Sequence, residues 1–205
     1  MGMTITKQDL EQAQERIQSR IRQDSVLCKE LILARPKNGG ADIADIAIKI
    51  AAVDITNETH LSSARETFFL QGLAAVIRDT EDIDGRIERG DGTLVADLSR
   101  KIKDEFGYNA FPFVSKYCSC HNRFVYGKSD FSVYDSRVHA WLLEYYKGTP
   151  VRREINKFRN MCDYVAFNSR MWQVIVDNSL TDVEAVRTKL DGYISVVAGG
   201  LNGQA

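Results

Sequence analysis

The sequence predicts an all-α fold, and three observations predict it. Apolar residues recur at spacings of three and four along most of the 205 residues, which is the period of a helix face. Three prolines in the whole chain leave room for long uninterrupted helices. No run alternates apolar and polar residues as a strand would, and no internal repeat or low-complexity segment interrupts the pattern. A hydrophobic content of 44% is enough for a sizeable core, and the length suits one domain, expected over 1–205 with a break between two helical lobes near 79–92.

Each element follows from local signals. Thr6 precedes Leu10, Ala13, Ile17 and Ile21, a helix face that continues through Val26, Leu27, Leu31 and Ile32. Pro36 and Asn38-Gly39-Gly40 end it. Asp42 caps a shorter, apolar helix, ADIADIAIKIAA. A helix over 59–78 carries Leu61, Ala64, Phe68, Leu73, Val76 and Ile77. The stretch DTEDIDGRIERGDG reads as a surface loop. Thr93 opens TLVADLSRKIKDEF, and Gly107 is a left-handed stop for it. Tyr108-Asn109-Ala110 then leads into a helix over Pro112 to His121, so the two form a helical hairpin. Further helices are expected over 134–147, 151–168 and 181–198.

The charge is uneven. The net charge of −1 argues against a nonspecific nucleic-acid binder. Yet Arg100 to Arg159 holds twelve Lys/Arg against six Asp/Glu, a local +6, and the rest of the chain carries −7. A basic block can face phosphates; a solvated helical face has the same composition. No apolar run approaches the ~18 residues of a membrane span, and MGMTITKQDLEQ lacks a signal pattern. A cytoplasmic protein with four free thiols is expected. Cys118-Ser-Cys120-His121 lacks a second ligand pair at a usable spacing, so no metal site is expected.

Two residues in "FPFVSKYCSCHNRFVYGKSDFSVYDSRVHAWL", residues 111–142, carry the chemistry. Pro112 fits the first turn of a helix, which places Lys116 in that helix's N-terminal half. The positive end of a helix dipole gives a cation nothing, and burial there would favour the neutral amine. A neutral lysine amine is a nucleophile suited to Schiff-base chemistry. The plainer alternative is an exposed lysine on a basic face. Asp135 lies 19 residues later. Ser132-Val-Tyr-Asp135 fits the S-x-x-D signature of a helix start, so Asp135 also reads as a capping residue.

A helical hairpin, a lysine in its second helix and an aspartate opening the next helix together resemble the helix-hairpin-helix DNA glycosylases. The match narrows to the 8-oxoguanine DNA glycosylase-like branch and its compact bacterial members. The motifs "PFVSKYC", with Lys116, and "VYDSRVHAWL", with Asp135, carry it, over roughly residues 93–147. The resemblance implies two helical lobes flanking a cleft, and a bifunctional glycosylase and β-lyase acting on double-stranded DNA with a damaged or modified base. Lys116 would be the nucleophile and Asp135 its carboxylate partner, with no cofactor. The hairpin departs from the family in holding one glycine, Gly107, where a glycine-rich phosphate-binding turn is usual. The rival expectation is a non-catalytic module of the same fold that binds nucleic acid or a protein partner.

Residues near the pair complete the candidate set. His139 and His121 could assist. Ser115, Arg123, Lys128, Arg137, Arg152 and Arg153 are candidate DNA contacts. Tyr134 and Trp141 could stack a flipped base, although aromatics at helical spacing more commonly fill a core.

Overall fold

The computed structural model describes residues 3–57, 59, 61 and 67–201. Among them are eleven α-helices, a 3-10 turn at Asn38–Gly40 and no strand. The helices are α1 (Lys7–Leu33), α2 (Ile43–Thr56), α3 (Thr67–Arg78), α4 (Ile83–Glu88), α5 (Gly92–Phe106), α6 (Phe111–Tyr126), α7 (Ser136–Tyr145), α8 (Arg152–Ile155), α9 (Phe158–Met161), α10 (Tyr164–Asp177) and α11 (Val186–Leu201).

The helix starts are set by short polar side chains. Thr6 and Asp9 form a reciprocal capping box on α1, which satisfies two otherwise orphaned amides. Asp42, Asp91, Asp135 and Asp163 each accept a backbone N–H at the starts of α2, α5, α7 and α10. Each such cap is worth about 1 kcal/mol. Gly107 ends α5 at φ 65°, a left-handed conformation that a Cβ would strain. The hairpin that follows is as short as expected, and Asn109 ties it to α9 by donating to the Arg159 carbonyl at 2.9 Å.

Helix α6 is the hub. It packs against α1, α2, α4 and α5, and its residues are buried almost all round, from Phe111 through Asn122. Burying each large apolar side chain there contributes about 1.5–3 kcal/mol. Around this hub, α1 runs beside α11, α11 beside α7, α3 beside α2 and α5, and α10 beside α5. The result brings the C-terminal end of α2, the middle of α6, the start of α7 and the middle of α11 together.

Three expectations need correction. The 79–92 stretch is not a loop: it contains α4, whose Ile83 and Ile87 are buried. Asp84 on this helix accepts the backbone and side-chain N–H groups of Asn38 at 3.1 and 3.2 Å and the Gly39 N–H at 2.6 Å. Asn38 in turn accepts from Tyr117 at 2.8 Å and from the buried Lys49 at 3.1 Å. The expected helix over 151–168 is broken into α8, α9 and the start of α10, with Cys162 in a left-handed turn at φ 52°. Finally, Ser132 does not cap α7. Asp135 is itself the N-cap, accepting from Val138 N–H at 2.9 Å. The helix expected over 59–78 falls partly outside the described residues, and its described part is α3.

Candidate active site

Lys116 and Asp135 face each other. The Lys116 Nζ lies 3.5 Å from Asp135 Oδ2. It also donates to the Asn57 carbonyl at the C-terminal end of α2, at 2.8 Å. The lysine side chain is 10% exposed and the aspartate 22%, so the pair meets solvent mainly through Asp135. An ammonium this buried needs such partners, because desolvating an unpaired charge is costly.

The pairing depends on a neighbour that local sequence signals do not mark. Ser115 Oγ accepts the Tyr134 N–H at 3.0 Å and donates to the Pro112 carbonyl at 2.9 Å. The residue before the lysine thus grips the residue before the aspartate. The rest of the 129–135 segment is held just as closely. Ser129 and Thr188 bond side chain to side chain at 3.0 Å. The Asp130 N–H donates to Asn122 at 3.0 Å. The Ser132 carbonyl accepts from Tyr164 at 2.7 Å, and its hydroxyl accepts from Arg187 at 3.2 Å. The Val133 N–H donates to Asp191 Oδ2 at 3.0 Å.

Three further groups surround the pair. Asn57 donates to Cys120 Sγ at 3.9 Å. Cys120 shares a hydrogen bond with Cys28 of α1, which pulls the Cys28 thiol down to about 7 and pushes the Cys120 thiol up. Asp191 is pushed up to about 8, first by desolvation and also by the nearby Asp135 charge. At neutral pH it is therefore largely the uncharged acid.

The other candidates separate into two groups. Ser115, His121, Tyr134 and Trp141 are buried. Ser115 cannot touch a phosphate where it stands, because the hairpin-to-loop clamp consumes its hydroxyl. His121 stacks on Tyr117 with ring centroids 4.1 Å apart, and its Nδ1 lies 2.9 Å from the Tyr117 carbonyl. Burial pulls this imidazole down to about 3. Tyr134 packs edge-on against Phe111 and Phe167, and Trp141 stacks on Tyr145. These rings fill the core rather than offer a stacking platform.

The second group lies nearer the surface. His139 is half-buried, bonds the Tyr134 hydroxyl through Nδ1 at 2.9 Å, and is held below the usual imidazole range by burial and by Arg159. Arg123 is half-buried, with its guanidinium over the Phe124 ring. Lys128 donates to the Glu88 carbonyl at 2.6 Å. Arg137, Arg152 and Arg153 are exposed. Lys157, at the start of α9, and Arg159, on α9 beside the hairpin, are exposed too. Among the described residues, no group of three or more His, Cys, Asp or Glu could hold a metal ion. No helix among them is long and apolar enough to cross a membrane.

Residues 5–125 match the HI_0787_N family, described as an N-terminal domain. The chain belongs to that family. The match takes in the hairpin and Lys116 and stops before the 129–135 segment and Asp135. No curated protein matches the chain, and no solved structure does.

Proposed function

We propose that the protein is a DNA glycosylase with an associated β-lyase activity, using Lys116 as nucleophile and Asp135 as its carboxylate partner. The observation that carries this reading is the 3.5 Å approach of a buried lysine to a helix-capping aspartate. The backbone behind both residues is fixed by the Ser115 clamp. Catalytic groups need reach of this order before any other property counts.

The reaction begins with a damaged nucleotide rotated out of the duplex, at a cost of a few kcal/mol in unstacking. The Lys116 ammonium leaves the Asn57 carbonyl and gives up a proton to solvent, and the free amine attacks the anomeric carbon. A C–N bond forms, the bond to the base breaks, and the base departs with the bonding electrons and takes up the proton that the newly bonded nitrogen sheds. Asp135 stabilises the positive charge that builds on the sugar. The sugar ring then opens to an iminium on Lys116. Loss of a proton from the neighbouring carbon expels the 3′ phosphate and nicks the strand. Asp135 suits its part because the Val138 N–H and the α7 N-terminus orient it as an anion. Arg137, Arg152, Arg153, Lys157 and Arg159, exposed on α7, on α8 and at α9 beside the hairpin, are the groups that would meet the phosphates.

One observation favours the rival reading of a non-catalytic module. The Lys116 amine already has a carbonyl and a carboxylate as partners, as a purely structural buried ion pair would. The two readings separate on borohydride trapping. Duplexes carrying oxidised, alkylated or abasic nucleotides are incubated with the protein and reduced. A covalent protein–DNA species that disappears in Lys116→Gln supports the enzyme. No adduct on any duplex in the panel supports the module.

A further inference from the structure

The 129–135 segment is gripped from both sides immediately before Asp135. Ser115 takes the Tyr134 N–H, and Asp191, from the middle of α11, takes the Val133 N–H through Oδ2 at 3.0 Å. The two grips differ. The Ser115 hydroxyl is fully used as donor and acceptor. The second oxygen of Asp191, Oδ1, is shut off from solvent and has no hydrogen-bond partner. A buried carboxyl oxygen left unpaired costs stability. A simple tether for one amide would be served as well by an asparagine.

We infer that Asp191 is a positioning residue for the Lys116–Asp135 pair, fixing the backbone that presents Asp135 and setting, through its own charge state, how tightly that pair is held. This rests on the glycosylase reading for its catalytic meaning, but its physical content concerns the pair alone. The groups facing the Asp191 carboxyl are Asp135 at the start of α7, Arg123 on α6, Tyr164 on α10 and Arg187 one turn earlier on α11. Arg187 is committed to Ser132 and Asn168, and Arg123 does not bond the carboxyl. Desolvation, with Asp135, outweighs the Val133 N–H bond and the two arginines, so the acid is largely uncharged at neutral pH. Asp135 is then the charged carboxylate that faces the amine. When Asp191 ionises, a second anion stands beside Asp135. Two anions hold the ammonium harder than one and keep its nitrogen from the anomeric carbon. The device would make the amine most available where Asp191 keeps its proton.

The test reads Lys116 itself. The full-length protein is labelled with formaldehyde and cyanoborohydride, and modification at Lys116 is followed by peptide mass spectrometry across about pH 6 to 9.5, a range that brackets the carboxyl. Asp191→Asn keeps an oxygen for the Val133 N–H and removes the titration. Labelling of Asp191→Asn relative to wild type should be near one at the acid end and rise about threefold or more at the alkaline end. A merely structural Asp191 would give a ratio flat with pH, which overturns the inference. Should the variant fail to fold, the wild-type profile decides: a break near pH 8 supports it, and a smooth rise overturns it. The same proteins are then put through DNA trapping. A pH-dependent ratio with no adduct on any duplex would sink the glycosylase reading and leave the positioning role standing. Adducts with a flat ratio would do the reverse.

Discussion

Replacing Ser115 by alanine tests how the pair is assembled. Ser115 is fully buried. Its hydroxyl accepts the Tyr134 N–H at 3.0 Å and donates to the Pro112 carbonyl at 2.9 Å. The Pro112 carbonyl sits in a helical turn and keeps the usual intrahelical route. The Tyr134 N–H has no such alternative, because it lies in an irregular segment, and Tyr134 is 2% exposed. Leaving one buried amide unpaired costs about 1–3 kcal/mol. The lost hydroxyl also leaves a void smaller than a water, so no solvent can replace the bond. Urea unfolding of Ser115→Ala should therefore show a loss of about 1–3 kcal/mol with an unchanged m-value. The consequence for the site is larger than for the fold. Asp135 is the next residue, and a shift of about 1 Å at reacting groups can cost about a hundredfold in rate. Single-turnover trapping at a temperature where the variant is fully folded should fall by at least about tenfold. Wild-type stability, or trapping within a factor of about two with the stability loss present, would refute the idea that Ser115 aligns the pair.

Other predictions follow from the same geometry. Asp135→Asn retains an oxygen for the Val138 N–H, and asparagine is as good a cap as aspartate. The helix should therefore persist by circular dichroism while trapping drops by about tenfold or more. His121 is held far below the ordinary imidazole value, so its neutral form contributes stability above about pH 6.5 that is lost as pH falls toward 3. His121→Phe should flatten that acid limb in urea titrations. Asp191 has the opposite sense. Its raised value means that stability is greatest below the unfolded aspartate value and declines up to about pH 8, a decline that Asp191→Asn should remove. Charge reversal of Arg152 and Arg153 should weaken DNA binding and flatten its salt dependence. Reversal of Lys29 and Arg78 should change neither, as read by fluorescence anisotropy at several salt concentrations.

Much of the helical architecture was legible because its signals are local. Thr6, Asp42 and Gly107 stop or start helices through groups within four residues of themselves, and the Leu94–Leu98–Ile102 stripe is a plain period of four. The ordering of Lys116 and Asp135 along a hairpin and a following helix was legible for the same reason. What the sequence hid is non-local. Helix α4 has only Ile83 and Ile87 as its apolar face within a charged stretch. Its place is set by Asp84 reaching back to Asn38, 46 residues away. The breaks at Asn156 and Cys162 carry no proline or glycine. Ser132 looked like a cap because its spacing is right, but Arg187 and Tyr164 hold it in the core instead. Tyr134 and Trp141 sit at core spacing, and burial decides their role. The clamping roles of Ser115, which was read as a DNA contact, and of Asp191 were the least visible. Each acts on the 133–135 backbone from a different helix, and no pattern along either helix marks it.

The central claim is that Lys116 forms a covalent bond to DNA beside Asp135. The most direct measurement is to reduce the wild-type protein with borohydride in the presence of duplex DNA carrying oxidised guanine, digest protein and strand, and locate the remnant by tandem mass spectrometry. The account predicts a deoxyribose-derived mass on the peptide containing Val114-Ser115-Lys116, assigned to the Lys116 amine, and its absence from Lys116→Gln. An adduct on any other lysine, or on none, with the protein folded and bound to the duplex, would contradict it.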